Sequence, residues 1–335
     1  MDYTEALLKV LQTPLSYLFS PVERIYLPYL VTSFLIAIFV ERRSHAVEAS
    51  LSETVGEVLP RKIYTHSSSI VDYVYFFSNS ILYLFILLPF GGLSLVVTQY
   101  ITERLSFVAT PTASTGPVSM GFTVLVTLLM ALVVDFGTYL AHVLMHRIPV
   151  LWEFHKVHHS AQVMTPLTVY RMHPLDDAIT LVITSTLLGT VDAFFRFFVS
   201  TQASPYVIAG LSGVTVLFYV FGYNLRHSHV WVSYGPLLSK IFISPAQHQI
   251  HHSAARRHWN KNYGFIFAVW DLLFQSLYVP KEREQLEFGI GRGEEREYSS
   301  PLRLYLLPFL KACRVLIKKK KGAMVRPVEQ ASRKD

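Results

Sequence analysis

Fourteen histidines occur in this chain of 335 residues, and most fall between His142 and His258. Imidazole is both a proton carrier and a metal ligand, so the spacing decides what these side chains could do. In Ala141-His142-Val143-Leu144-Met145-His146, two imidazoles stand at i and i+4 on one helical face, where both reach one metal ion. His155-Lys156-Val157-His158-His159 follows, and its i, i+3, i+4 spacing again forms a common face. The same HxxHH pattern returns at His248-Gln249-Ile250-His251-His252, and His227-Ser228-His229 closes the preceding apolar region. A lone histidine on an apolar face is ordinarily a satisfied core residue. One HxxHH would arise by chance about 0.02 times in a chain of this histidine content. Two of them beside an HxxxH point to metal binding.

That many imidazoles exceed what one ion can bind, so two ions are expected. The single cysteine, Cys313, excludes a Cys-ligated zinc site, an iron–sulfur cluster and an intrachain disulfide made by this chain alone. Imidazole suits Zn, Cu, Fe and Ni. A hydrolytic zinc site uses three ligands and an open position, which would leave most of these histidines unused. Two iron ions beside a lipid-facing pocket suit different chemistry, the reduction of dioxygen and attack on an unactivated C–H bond of an apolar substrate.

The elements that must position the histidines belong in lipid. Hydrophobic residues make up 51% of the chain, aromatics 14% and charged residues 16%, with a mean hydropathy of +0.35. Soluble chains carry roughly 25% charged residues. Disorder is excluded for most of the length. The net charge of +7 fits basic loops on the cytoplasmic side of a membrane better than nucleic acid. Apolar runs are expected to span at 25–40, at 70–97 as either one tilted helix or a hairpin kinked at Pro89, Gly91 and Gly92, at 120–144, and as a helix–loop–helix hairpin over 178–223. The segment 100–118 reads as a loop. The first residues lack a basic n-region, so no cleaved signal peptide is expected. Basic residues collect in alternate loops, which places every histidine cluster on the cytoplasmic face. The fold expected is all-α: a polytopic membrane helical bundle with a cytosolic histidine-rich di-metal cap. Its divisions are an N-terminal membrane region (1–118), a catalytic domain (119–280) and a basic cytoplasmic tail (281–335).

Asp135, Tyr139, His142 and His146, then Trp152 with His155-Lys156-Val157-His158-His159-Ser160, then Arg171-x-His173-Pro174, form an ordered set. Ser244-Pro245-x-x-His248-x-x-His251-His252-Ser253, Asn262-Tyr263-Gly264 and Trp270-Asp271-x-x-Phe274 continue it. This set resembles the fatty acid hydroxylase/sterol desaturase superfamily over roughly residues 130–280. The resemblance implies a membrane-embedded non-haem di-iron oxygenase using O2. Carried over by position, its metal ligands are His142, His146, His155, His158, His159, His227, His248, His251 and His252. Many members have a second histidine four residues after the one matched by His227. Here Trp231 stands there, and His229 at i+2 is the tenth ligand candidate. The last motif also departs, with Gln275-Ser276 where Gly-Thr is common.

Beyond the ligands no separate catalytic group is expected. Asp135 and Asp271 are carboxylates in apolar runs, expected to hydrogen-bond ligating histidines. Asn262 is the analogous amide, and His173, extended before Pro174, is expected in the pocket wall or orienting a ligand. His45, His66 and His258 read as solvated. Gly289-Ile290-Gly291-Arg292-Gly293 lacks the spacing and strand–turn–helix context of a dinucleotide loop. No flavin or haem signature occurs either, so an external electron donor, a cytochrome b5-type protein or a ferredoxin by resemblance, is required. The activity expected is hydroxylation or desaturation of a sterol or fatty-acyl lipid drawn from the bilayer, in a bacterial inner membrane or the endoplasmic reticulum. Ether-lipid (alkylglycerol) oxygenation is the alternative, and a histidine-lined metal transporter the remote one.

Overall fold

The computed structural model describes residues 3–44, 50–200, 204–208, 211–291 and 293–320. Among the described residues, three helices are long and apolar enough to cross a membrane: α1 (Ser67–Ile86), α3 (Met120–Arg147) and α5 (Pro174–Phe198). Their outer faces carry exposed Phe85, Leu125 and Phe194, which would be costly in water and are at home in lipid. The chain is a membrane protein, and among the described residues its architecture is helical apart from one pair of short strands, Val207–Ile208 against Leu211–Ser212.

Local chemistry sets the ends of these helices. Ser119 caps α3 by accepting from the Phe122 N–H, and Pro174 opens α5 where no N–H is needed. His66, expected to be solvated, instead caps α1 through Nδ1, which accepts from the Ser68 N–H. Pro89, Gly91 and Gly92 break the second apolar run into two helices. α1 ends at Ile86, and α2 (Leu93–Ser106) begins after a short 3-10 turn. α2 thus occupies the first part of the segment expected to be a loop, because its packing on α5 gives Leu93–Ser106 a surface to fold against. Gly189 of α5 permits this approach: a Cβ there would lie 2.4 Å from the Ser94 carbonyl.

Two further expectations are corrected. The first run forms the helix Leu27–Ser44, with Glu41, Arg42 and Arg43 inside its last turns, so it is not among the three spanning candidates. The hairpin expected over 178–223 has only one long limb. After α5 the chain turns through the short strands, and the following helix, Gly213–Val220, has 8 residues.

The histidine-bearing elements are short and gathered at one place. α4 (Pro149–His159) follows α3 directly, with Ile148 as the junction. The 3-10 turn Tyr223–His227 and α6 (Pro245–His251) bring the later histidines, α6 starting from a capping box between Ser244 and Gln247. α7 (Pro301–Lys320) packs against α4, and Tyr75, Val157, Tyr298 and Leu304 form the core beneath. Arg171 ties this layer together. It donates to the carbonyls of Val157 and Tyr298, to Ser160 and to Asp72 of α1.

Candidate metal centre

The fold gathers nine histidines into two groups, all of them buried except the half-buried His142 and His146. His142, His146, His155, His159 and His251 form one, and His158, His227, His248 and His252 the other, with the ligating atoms of each group all within 4.8 Å of one another. α3 supplies two members of the first group, while α4 and α6 each contribute to both. These groups can hold metal.

The nitrogen atoms behave as ligands waiting for a common partner. Nε2 of every member of the five-histidine group is buried and accepts or donates no hydrogen bond. A buried polar atom without a partner is costly, and five around one point are explained by an ion at that point. In the four-histidine group the Nε2 atoms converge on each other: His248 to His227 at 3.1 Å, His252 to His248 at 3.1 Å, and His227 to His158 at 3.4 Å. Ligands about 2.1 Å from an ion, at angles of 90–109°, stand about 3.0–3.4 Å apart. Burial pushes His158, His159, His227, His248 and His252 well below the ordinary imidazole range, and His251 to about 3. Neutral imidazole is the form that ligates.

Outer contacts fix the rings of the first group. His142 Nδ1 donates to the Tyr263 carbonyl at 2.8 Å, His251 Nδ1 to the Lys261 carbonyl at 2.8 Å, and His155 Nδ1 to the Asp176 carboxylate at 2.5 Å. Such acceptors orient a ligating ring and raise its basicity. Behind the second group stands Arg226, whose Nη2 donates to His248 Nδ1 at 2.8 Å. Asp176 and Arg226 were not singled out from the sequence. The only sequence signals were a carboxylate just after His173-Pro174 and a cation adjoining His227.

The other candidates sit elsewhere. His229 lies outside both groups, its Nε2 donating to the Glu57 carbonyl at 2.7 Å. Asp135 accepts from the Ile266 and Phe267 N–H groups and from Trp270 Nε1, and Asp271 from the Tyr263 and Gly264 N–H groups and the Ser276 hydroxyl. Asn262, at positive φ, donates to the Gln247 and Tyr278 carbonyls. The three residues therefore fix the loop 262–267, whose Tyr263 carbonyl meets His142, rather than touching a ligand themselves. His173 caps α5, accepting from the Leu175 N–H, and contacts the Tyr305 carbonyl through Nε2. His258, expected to be solvated, is buried against Glu284 at 3.1 Å because the turn Arg256–His258 folds it inward. His45 lies outside the described residues.

A cavity of about 450 Å³ reaches the five-histidine group, bordered by His146, His159 and His251 together with Arg147, Trp152 and Arg256. A second, apolar cavity of about 470 Å³ lies among Leu15, Leu18, Phe34, Phe76 and Leu225, and none of the nine histidines borders it.

A family model described as fatty acid hydroxylase matches residues 127–276. The chain is 28% identical to the ornithine lipid hydroxylase OlsE of Rhizobium tropici over 215 residues, 64% of this chain and 59% of that protein. It is 27% identical to the alkylglycerol monooxygenase of Homo sapiens over 157 residues, 47% of this chain and 31% of that protein. The Caenorhabditis elegans alkylglycerol monooxygenase is 25% identical over 160 residues, 48% of this chain and 28% of that protein. The chain thus spans less than two thirds of the length of each of these relatives. No solved structure matches it.

Proposed function

Residues 127–276 belong to the fatty acid hydroxylase family, and from that premise we propose that the chain is a membrane-bound di-iron oxygenase that hydroxylates a lipid. The observation that carries the reading is the convergence of nine histidines into groups of five and four, with unpartnered Nε2 atoms facing inward in the larger group. His142, His146, His155, His159 and His251 would hold one iron, and His158, His227, His248 and His252 the other. Bound there, the two irons would supply the reduction of dioxygen and the oxidising power needed to break an unactivated C–H bond.

The chain's own residues do the rest. Tyr263, Lys261 and Asp176 hold three of the ligand rings in orientation. Trp152 packs against His146 and His159 and walls the cavity beside them. The lipid brings its polar end to that cavity, whose rim carries Arg147, Lys156 and Glu294, so the oxidised carbon lies near the headgroup. The catalytic region is 119–280, between the membrane region 1–118 and the basic tail 281–335. The protein crosses the membrane several times with the histidines on the cytoplasmic face, as the basic loops favour.

Reducing dioxygen to water and a hydroxyl group takes four electrons, and the substrate C–H bond supplies two. A separate cytochrome b5-type protein or ferredoxin delivers the other two, docking on the basic surface with Arg256, Arg257, Lys261 and Lys281. Comparative lipid mass spectrometry under ¹⁸O2, of cells expressing the wild-type chain or His158→Ala, tests the reading. A lipid gaining one ¹⁸O only with the wild-type chain is the expected result. An ¹⁸O-labelled aldehyde split from an alkylglycerol would establish ether-lipid oxygenation instead. Identical lipids in both cells would overturn the oxygenase.

A further inference from the structure

The two histidine groups differ in the charge that stands behind them. The five-histidine group has three ring nitrogens donating outward to acceptors, one of them the Asp176 carboxylate, buried at 1% exposure. The four-histidine group meets the opposite polarity. A guanidinium can only donate, so Arg226 Nη2 offers a proton to His248 Nδ1 where a ligating ring ordinarily offers one outward; the neutral His248 ring held this way carries its own proton on Nε2, which makes it the weakest donor of the four. Arg226 is itself buried at 3% exposure. Its other hydrogen bonds and ring contacts are to neutral groups, the carbonyls of Phe265 and Gly264 and the rings of Phe218, Tyr223 and Phe265, and the Asp135 carboxylate acts on it only through space. No carboxylate forms an ion pair with it among the described residues.

Charge in a low-dielectric interior acts strongly on a neighbouring ion. A carboxylate behind a ligand ring attracts a divalent cation and strengthens the ring as a donor. A buried guanidinium behind a ligand ring repels the cation and gives the ring no acceptor to lean on. Ligand number points the same way, five against four.

We infer that the two metal positions are unequal, the Asp176-backed position holding its ion tightly and the Arg226-backed position holding a labile one. Arg226 and Asp176 act here as positioning residues of opposite sign. The inference rests on the two-metal reading above, and the following experiment separates the two.

The purified full chain, loaded with zinc alone, is challenged with excess chelator, and zinc per chain is followed by mass spectrometry. Two ions leaving in two phases are expected. His252→Ala should abolish the fast phase and His146→Ala the slow one. Arg226→Gln, which keeps a donor but removes the charge, should slow the fast phase about 10- to 100-fold, and Asp176→Asn should speed the slow phase by a similar factor. Two ions lost in a single phase would overturn the inference and leave the two-metal reading standing. So would a fast phase unchanged in an Arg226→Gln protein of unaltered melting temperature. If that variant does not fold, a slow phase unmoved by Asp176→Asn decides against it. A wild-type chain binding fewer than two zinc ions would overturn both readings.

Discussion

Arg171 Nη1 and Asp72 Oδ1 meet at 2.7 Å with both side chains buried, linking the segment after α4 to the spanning helix α1. Removing one partner leaves the other charge uncompensated in the interior, whereas removing both does not. Asp72→Asn or Arg171→Met should each lower stability by about 3–5 kcal/mol, and the two together by less than their sum. Denaturant unfolding of the detergent-solubilised protein checks this, and additive losses would show that the charges do not interact.

His251→Ala and His158→Ala should each reduce bound metal and lower turnover by at least about 100-fold, beyond the usual cost of an outer contact. His229→Ala should leave metal content unchanged, because that ring meets the Glu57 carbonyl outside both groups. Metal analysis of the three variants decides between a nine-ligand and a ten-ligand set.

Acid should destabilise the metal-free fold. Burial holds His251 at about 3 and His158, His159, His227, His248 and His252 well below the ordinary value. Unfolded histidine titrates near 6.5, so below that pH the unfolded chain binds protons that the folded chain does not. Stability is therefore complete above about pH 6.5 and lost progressively as the pH falls toward about 3. The melting temperature of metal-free protein, followed from about pH 8 to about pH 5, should fall in the lower half of that range. A flat profile would contradict neutral, buried rings.

Reversing Arg256 and Arg257 to Glu should slow electron delivery several-fold at low salt, with less effect as ionic strength rises. Turnover with a chemical reductant in place of the protein donor should be unaffected. Equal slowing with both donors would place the two arginines in substrate binding instead.

The helix starting at Met120 was legible in the sequence because apolar length acts locally, and Pro89, Gly91 and Gly92 marked a break without deciding between a kinked helix and two helices. The HxxHH spacings likewise marked the histidines that the fold gathers. Their division into two groups was not legible. His155 and His159 face one group while His158 faces the other, and only the position of α6 across from α4 decides that. The outer contacts were hidden for the same reason: His142 meets a carbonyl 121 residues away, and Asp135 reaches a backbone N–H 131 residues away. The sequence marks Asp135 and Asp271 as unusual acids but cannot show that a loop, rather than an imidazole, receives them. The second limb of the 178–223 hairpin was overestimated because apolar content alone does not distinguish an eight-residue helix from a span.

α4 and α6 each give ligands to both groups, and this makes the pair of positions a single mechanical part. A rotation of either helix about its own axis moves histidines of both groups at once. The spacing between the two groups is then set like the teeth of a gear, by the pitch of two short helices. Loop lengths between the histidine segments can drift without altering it.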